Sequence, residues 1–410
     1  MPPVPAAIAH PVESHRILHI FRAPVGGLFR HVVDLARLQA AAGHRVGIVC
    51  DATTGGDRAQ AALAELAPAL AFGVTRVPMR RNPHPSDTAA LLAVARRAEA
   101  VGADVLHGHG AKGGAYARLC PARGESMIRA YTPHGGSYNY RPGTLMHRLY
   151  MAAEGLLARR TDVFLFESEY VARRHQAFVG AEATLARIVH NGIGAAEFEP
   201  VEPAPDPFDL VYVGELRDAK GLPVLLEALA QMRAEGRHLR LLMVGSGPDA
   251  GRLADQVRDL GLTEAVAFEP AQPIRPILAR GRIMVVPSFA ESLPYVVLEA
   301  AAAGQPLVAT NVGGIPEIFG AAADELVPPR DAAALRRAIL RVLDEPAETR
   351  RARFAALSAS VRQRFSMERM GADVLSGYAA AFRARLREGV PESVPAAPAL
   401  AGSSGTRPGA

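Results

Sequence analysis

The chain has 410 residues and a formal net charge of +5, and 49% of its residues are hydrophobic while 21% are charged. This composition is typical of a globular protein, and a length above about 300 residues predicts more than one domain. No run of about 18 uncharged apolar residues occurs, which argues against a membrane-spanning helix. Cys50 and Cys120 are too few for a disulfide framework, so we expect a cytoplasmic location.

The positive charge is concentrated in the first half of the chain. Residues 1–195 carry a net charge of +8, whereas residues 196–410 carry −3. Two interpretations stay open for the basic half: its arginine pairs lie on solvated helix faces, or they contact a phosphate-bearing acceptor or the anionic inner face of the cytoplasmic membrane. Aromatic residues make up only 6% of the chain and no basic tail is present, so nucleic acid is not an expected partner.

Strands alternate with helices from Arg16 onward, after a Pro- and Ala-rich segment, residues 1–15, that we expect to be flexible. The first domain is predicted over residues 16–195, with strands at 16–21, 44–50, 104–107, 127–132 and 163–167. The helices predicted in its first part cover residues 28–42, 59–66 and 87–100. Apolar strands separated by helices of this length indicate a mostly parallel sheet that is covered on both faces.

A Pro-rich linker, residues 196–208, separates this domain from a second one over residues 209–365. Strands of the second domain are predicted at 209–213, 239–244, 266–269 and 283–286. Residues 366–388 predict a helix that crosses back to the first domain, and residues 389–410 predict a disordered tail. The expected fold class is therefore α/β, with two doubly wound, Rossmann-like domains that face a central cleft.

Two carboxylates, Glu291 and Glu299, frame the most informative segment, because Pro294 between them marks a predicted helix start. The first turn of such a helix leaves unpaired N–H groups between Ser292 and Val296, through Leu293, that can bind a diphosphate. A fully helical stretch would separate the two carboxylates by about 12 Å along its axis. That distance does not suit a proton-sharing pair, but it suits contacts with two parts of one sugar nucleotide.

Glycine-rich loops follow two other predicted strands. Gly26 and Gly27 lie between the first strand and the first helix, where backbone N–H groups can approach a phosphate; a tight structural turn explains them equally well. Gly245 and Gly247 resemble half of a dinucleotide-binding fingerprint, but Gly251 is one position late for the complete motif. We treat these glycines as candidate donor-binding residues.

Side chains with acid–base or ionic chemistry follow other strands. We expect His107 and His109 to point to opposite faces of their strand, so that a shared metal ion is not favoured, and we expect His109 to be the ligand-facing one. His134 follows another strand beside glycines and can reach the cleft. Arg217 and Lys220 follow the first strand of the second domain, where two cations suit a diphosphate leaving group; exposed surface cations are the alternative.

Taken in order, these segments resemble the retaining, two-domain glycosyltransferases of family 4, which have the GT-B fold and an E-x7-E motif. The resemblance covers nearly the whole folded chain. It rests on the segments PSFAESLPYVVLEAAAAGQPLVATNVGGIPE, VGGLFRHVVDLARLQAAAGHRV, HNGI, VGEL…KG and LLMVGSGP. It implies that no cofactor or metal ion is needed.

The resemblance also implies roles for individual residues. Glu299 would bind the nucleotide ribose, Glu291 would lie near the donor sugar, and His134 would approach the reacting carbon. Lys220 would neutralise the departing diphosphate, with help from backbone N–H groups after Glu291 and at Gly26-Gly27. The family usually has Arg where this chain has Glu215, so Arg217 is a candidate replacement; it also commonly has Gly where this chain has Ser292, which bears on sugar preference.

The leading hypothesis is therefore a retaining glycosyltransferase that moves a sugar from a nucleotide-diphosphate sugar to a saccharide or polyprenyl-linked acceptor, in cell-surface polysaccharide or glycolipid biosynthesis. The alternative is a non-catalytic subunit that binds sugar nucleotides, suggested by Glu215. A nicotinamide-dependent oxidoreductase is a third hypothesis, against which the incomplete dinucleotide fingerprint argues.

Overall fold

A computed structural model describes residues 14–121, 127–180 and 185–388. The predicted tail, residues 389–410, and nearly all of the predicted flexible segment, residues 1–15, lie outside the described residues. Among the helices that the structure describes, none combines the length and the apolar character needed to cross a bilayer.

The first half of the chain forms a seven-stranded sheet in which every recorded strand pair is parallel, in the order β3-β2-β1-β4-β5-β6-β7. Its strands are β1 (Arg16–Phe21), β2 (Arg45–Asp51), β3 (Val74–Val77), β4 (Val105–His109), β5 (Ile128–Thr132), β6 (Val163–Phe166) and β7 (Leu185–Ile188). The helices that connect them are α1 (Gly26–Ala41), α2 (Gly56–Leu66), α3 (Asp87–Val101), α4 (Gly110–Leu119), α5 (Leu145–Ala158) and α6 (Glu169–Phe178).

The second half forms a five-stranded parallel sheet in the order β10-β9-β8-β11-β12. Its strands are β8 (Phe208–Val213), β9 (Leu241–Val244), β10 (Val266–Glu269), β11 (Gly281–Val286) and β12 (Leu307–Ala309). Its helices are α7 (Leu222–Ala234), α8 (Ala250–Asp259), α9 (Ile274–Leu278), α10 (Tyr295–Ala302), α11 (Ile315–Phe319), α12 (Ala332–Asp344) and α13 (Ala347–Arg364). The predicted α/β fold with two doubly wound sheets is confirmed.

The order of the strands explains where a ligand can bind. In both sheets the chain starts in the middle, builds outward on one side, and then returns to build on the other side. Loops that leave neighbouring strands in opposite directions open a crevice at the carboxyl ends of those strands. In the first sheet this point lies between β1 and β4, and in the second it lies between β8 and β11.

The last helix, α14 (Met367–Glu388), belongs to the core of the first half although it follows the second half in the chain. Met370, Val374, Tyr378 and Ala381 are buried in the same cluster as strands β1, β2 and β6. The chain re-enters the first half beside Ile193, whose N–H donates to the carbonyl of Phe365 and whose carbonyl accepts from the N–H of Met367. The chain therefore passes from one half to the other twice.

Candidate active site

A cavity of about 460 Å³ lies between the two sheets and is lined by loops that follow strands of both. From the first half it is lined by Gly26, Gly27, Leu28, His134, Glu167 and Asn191. From the second half it is lined by Tyr212, Val213, Gly214, Glu215, Arg217, Lys220, Val286, Ser288, Glu291, Ser292, Leu293, Pro294, Tyr295 and Val296. Most of the predicted site residues therefore meet in one place.

Lys220 and Glu291 form an ion pair in this cavity, with 2.6 Å between the lysine Nζ and the glutamate Oε1. Both side chains are largely buried, and the Ser288 hydroxyl donates to the same carboxylate oxygen over 2.7 Å. Gly221 brings the two loops together, because a Cβ at this residue would stand 1.9 Å from the carbonyl oxygen of Pro287. From the sequence we expect both charged residues near one ligand, but their contact with each other could not be predicted.

The segment from Glu291 to Val296 lines the cavity, and several of its backbone N–H groups are unpaired among the described residues. Its carbonyl groups are held on the other side: the Ser292 carbonyl accepts from the N–H of Gly314, and the Leu293 carbonyl accepts from the Asn191 side chain over 2.8 Å. Within the described part of the chain, no group accepts a hydrogen bond from the backbone N–H of Ser292, Leu293, Tyr295 or Val296. Pro294, directly before α10, has no N–H to offer. This segment can bind an anion through several donors at once.

The first glycine loop faces this segment from the other sheet. Gly26 begins α1 with a φ of +66°, a left-handed conformation that favours glycine. A Cβ at Gly27 would stand 3.2 Å from the Tyr295 ring, so the backbone of α1 approaches α10 closely. The first turn of α1 adds further unpaired N–H groups to the same cavity.

Glu299 lies outside the cavity lining and pairs with Arg30 of α1. The Arg30 guanidinium pairs with Glu299 and with Glu197, at 2.7 Å from the latter, and stacks 4.4 Å from the centre of the Tyr295 ring. Burial raises the pKa of Glu299 to about 7, a shift that Arg30 opposes and Glu197 reinforces. The sequence did not single out Arg30 or Glu197, since each contact joins residues more than a hundred positions apart.

Gly245 and Gly247 do not line the cavity. A Cβ at Gly245 would stand 1.8 Å from the carbonyl oxygen of Gly214, and a Cβ at Gly247 would stand 2.2 Å from that of Leu216. Both glycines let the loop after β9 pack against the loop after β8. Their predicted contact with the donor stays a prediction.

Arg217 lines the cavity, as its candidate role requires, but it is paired with Glu215. Its Nη1 lies 3.3 Å from the Glu215 carboxylate, and both side chains are about half exposed, at 47% and 50%. An exposed pair of this kind contributes little to stability and can separate readily. Arg217 is therefore available to a ligand, whereas Lys220 lies deeper.

The expectation for His107 and His109 was wrong. Residues two apart in a strand project to the same face, and the two rings lie side by side in β4 with their centres 3.9 Å apart. Both rings are buried, and burial holds their pKa values well below the usual range for histidine. His109 is not itself in the cavity lining; it contacts His134, which is.

His134 lies in a strained turn with a φ of +51°, followed by two glycines that also have positive φ. Its Nε2 lies 3.1 Å from the Nδ1 of His109, and burial lowers its pKa well below the usual value. The turn rests on a buried network: the Ser137 hydroxyl donates to Glu154 over 2.7 Å, and Glu154 pairs with Arg118. This buried network therefore holds the turn that carries His134 in place at the cavity.

Two further cavity residues were not among the predicted site residues. Glu167 follows β6, and burial raises its pKa to about 7, although backbone N–H groups of His134 and Gly135 favour its charged form. Asn191 contacts His31 of α1 with 3.0 Å between its Oδ1 and the histidine Nδ1. His31 occupies an inward position of an amphipathic helix, where sequence reading predicts ordinary core packing.

Two family models match the chain one after the other. The model described as Glycosyltransferase Family 4 matches residues 25–197, and the model described as Glycosyl transferases group 1 matches residues 207–345. Together they span the cavity from both sides. The chain belongs to the family 4 glycosyltransferases.

Relatives of this glycosyltransferase include glycogen synthase from Mycobacterium tuberculosis, 29% identical over 360 residues that cover 81% of the chain and 86% of the relative. D-inositol 3-phosphate glycosyltransferase from Segniliparus rotundus is 28% identical over 57% of the chain and 55% of the relative. Among solved structures, sucrose-phosphate synthase from Thermosynechococcus elongatus matches 90% of the chain and all of its own, with a TM-score of 0.74 and 22% identity. HepE from Anabaena in complex with UDP-glucose matches 89% of the chain, with a TM-score of 0.73 and 18% identity.

Proposed function

We propose that the chain transfers a sugar from a nucleotide-diphosphate sugar to a saccharide or polyprenyl-linked acceptor, with retention at the anomeric carbon and without a metal ion or cofactor. The single observation that carries the proposal is that the largely buried Lys220 ammonium and the unpaired N–H groups of Ser292 and Leu293 share one cavity between the two sheets. That arrangement suits a diphosphate better than a neutral ligand.

Lys220 stabilises the diphosphate as it leaves. Its ammonium group is paired with Glu291 over 2.6 Å, and a diphosphate brings a second, more highly charged partner to the same side of the cavity. Ser288 keeps Glu291 in place when the lysine turns toward phosphate oxygen, because its hydroxyl donates independently to that carboxylate. Donors that are fixed before the reaction and point to developing negative charge are worth about 3–4 kcal/mol each in other enzymes.

Glu291 and His134 hold the donor sugar between the two halves. Glu291 can accept hydrogen bonds from sugar hydroxyls on the side of the second sheet, and His134 approaches from the first sheet. Glu299 receives the ribose hydroxyls through its Oε2, because the contact that Arg30 makes with this carboxylate is to Oε1, while Arg30 also pairs with Glu197. Arg217 reaches the outer phosphate from the cavity mouth.

The reaction exchanges one C–O bond for another on the same face of the sugar. The bond between the anomeric carbon and the diphosphate oxygen breaks, and the oxygen takes the bonding pair. The acceptor hydroxyl then bonds to the anomeric carbon from that face, and its proton passes to the departing phosphate. Electrostatic support of the diphosphate by Lys220 and the helix N-terminus supplies the main stabilisation in this scheme.

The similar fold of HepE, which was solved with UDP-glucose, supports a UDP-sugar as one candidate donor. The basic first half, with its net charge of +8 over residues 1–195, favours an acceptor that carries phosphate at the inner face of the cytoplasmic membrane. We therefore propose a role in cell-surface polysaccharide or glycolipid biosynthesis. Salt-sensitive co-sedimentation with anionic phospholipid vesicles, absent with neutral vesicles, tests the membrane contact.

The two lysines of the chain provide a matched test of the proposal. Lys220→Met should lower the rate of nucleoside diphosphate release by about 100-fold to 1,000-fold, as the loss of one transition-state donor does. Lys112→Met is the control, because Lys112 is also a largely buried partner of a carboxylate, Asp87, but does not line the cavity. Equal rates for the two variants across a panel of UDP- and GDP-sugars would contradict the proposal.

Retention and metal independence have their own measurements. The product made from an α-linked donor should show an α-linkage by proton NMR, and EDTA should leave the initial rate of metal-free enzyme unchanged. A β-linked product from the same donor, or a rate that returns only with a divalent ion, would require a different mechanism.

Glu215 favours one alternative, a subunit that binds sugar nucleotides without transferring them. Glu215 neutralises Arg217 at the position where the family resemblance implies a free arginine. Glu291→Gln separates the two functions: it should abolish transfer by an enzyme, and it should leave the partner function of a binding subunit intact.

A further inference from the structure

Five histidines converge beneath the cavity. His19 belongs to β1, His31 to α1, His107 and His109 to β4, and His134 follows β5. Four are fully buried, while His134 also lines the cavity. Each ring nitrogen in this cluster must either donate or accept, so the neighbouring amides determine which nitrogens carry lone pairs.

Asn191 fixes the state of His31. Its side-chain N–H donates to the carbonyl of Leu293 over 2.8 Å, so its Oδ1 is the atom that faces His31 Nδ1 at 3.0 Å. The Nδ1 of His31 therefore carries the hydrogen. The opposite nitrogen, Nε2, carries a lone pair, and it is buried without a hydrogen-bond partner among the described residues.

Gln39 fixes the state of His109 through His19. The Gln39 amide N–H donates to the Tyr378 hydroxyl, so its Oε1 accepts from His19 Nε2 at 2.7 Å. The Nδ1 of His19 then carries a lone pair and accepts from His109 Nε2 at 2.9 Å. The remaining nitrogen, His109 Nδ1, carries a lone pair that faces His134 Nε2 at 3.1 Å.

Two lone pairs thus face one part-exposed histidine, and the ligand atoms of His31, His109 and His134 all lie within 4.8 Å of one another. His19, His107 and His109 also lie this close, but both nitrogens of His107 are occupied, by the Tyr378 and Thr132 hydroxyls. The group that contains His31 therefore has free coordinating atoms, whereas the deeper group does not.

We propose that His31, His109 and His134 bind a divalent transition-metal ion such as Zn²⁺, which enters from the cavity. Neutral imidazoles suit this class of ion, and three protein ligands leave a fourth position open to the cavity. Asn191 and His19 orient two of the ligands by holding their other ring nitrogens, as second-layer partners do in metal sites. His134 can bind the ion through Nε2 once the hydrogen on that nitrogen has moved to Nδ1.

The bound ion inhibits sugar transfer, and this part of the inference rests on the proposed function. A metal-ligated His134 can no longer turn toward the donor sugar, and the positive charge of the ion changes the field at the reacting carbon. The site would make the enzyme responsive to free transition metal although its reaction needs none.

Zn²⁺ binding to the full-length, chelator-treated protein tests the site without any donor or acceptor. Isothermal titration should give one site, and Co²⁺ should produce the visible absorption of a nitrogen-coordinated ion. His31→Gln and His134→Ala should each weaken Zn²⁺ binding by more than about 100-fold, the upper end of what loss of a second-layer partner costs. His175→Gln is the control, because His175 is a buried histidine of the same half that lies outside the cluster.

Circular dichroism confirms that each variant is folded before titration. Zn²⁺ binding that the control retains and both ligand variants lose supports the site; the absence of binding, or equal binding by all variants, overturns it. Inhibition of transfer by Zn²⁺, reversed by EDTA, supports the inhibitory role, and unchanged transfer at saturating Zn²⁺ overturns that role. Because titration does not depend on turnover, a protein without transferase activity would refute the proposed function and leave the test of the metal site valid.

Discussion

The two halves share one architecture, but they differ in the kinds of side chain that they bury. Of the twenty buried polar or charged side chains that the structure describes, only Ser288, Gln305 and Thr310 belong to the second half. Among the described residues, the second half has one continuous apolar core, whereas the buried apolar residues of the first half fall into three separate clusters. The five clustered histidines and the Arg118–Glu154 pair all lie in the first half.

This difference indicates how each half holds its part of the site. The second half presents Lys220, Glu291 and a row of N–H groups from loops above an apolar core, so changes in those loops need not disturb the fold. The first half positions His134 through a buried polar network that is also part of its core. Substitutions in the two cores should therefore have different effects on stability and on the site.

The largest effect is expected where a buried charge loses its partner. Arg118→Met leaves Glu154 buried beside Tyr131 and Ser137 without its cation, because Arg118 Nη1 lies 2.8 Å from that carboxylate. The free energy of unfolding should fall by about 3–5 kcal/mol, measured by urea denaturation. The double variant with Glu154→Leu should recover part of the loss, and a single-variant loss below about 1 kcal/mol would contradict the role given to this network.

A smaller effect is expected from an apolar deletion in the second half. Leu226→Ala removes a fully buried side chain of α7, and its cost should be about 2–5 kcal/mol in the same denaturation experiment. The variant should retain the Lys220–Glu291 pair and hence its affinity for nucleotide, measured by titration calorimetry below the unfolding transition. Loss of nucleotide affinity in the folded variant would show that this core and the site are not independent.

The smallest effect concerns the pH dependence of the first half. Burial lowers the pKa of His175 from its ordinary 6.5 to about 4, so between these values the unfolded chain binds a proton that the folded chain does not. The stability contribution is complete above pH 6.5 and decreases as the pH falls, by about 1.4 kcal/mol per pH unit. The slope of unfolding free energy between pH 6.5 and 5 should be shallower by that amount in His175→Gln, and an unchanged slope would contradict the assignment.

Periodicity predicted the fold because parallel sheets covered on both faces have nearly continuous apolar strands, and these are visible in the sequence. The approximate positions of Lys220, Glu291 and His134 also followed, since each comes directly after such a strand. The loop packing of Gly245 and Gly247 did not follow, because a glycine required by a ligand and one required by a neighbouring backbone look alike in sequence.

The contacts that join the halves could not be predicted from the sequence. Arg30 reaches Glu299 across 269 positions, and Asn191 reaches the carbonyl of Leu293 across 102. Such pairs depend on how two domains face each other, which no local pattern encodes. The error at His107 and His109 had a different origin: the spacing was visible, but the alternation of side chains along the strand was applied incorrectly.

The return of α14 to the first half has a consequence for biosynthesis. A ribosome completes β7 two hundred residues before it completes α14, yet Met370, Val374 and Tyr378 are part of the core beneath the first sheet. Until those residues emerge, the nascent sheet exposes an apolar face that only chaperones or the growing second half can shield. A stop codon between the second sheet and α14 would therefore damage the domain that was synthesised first.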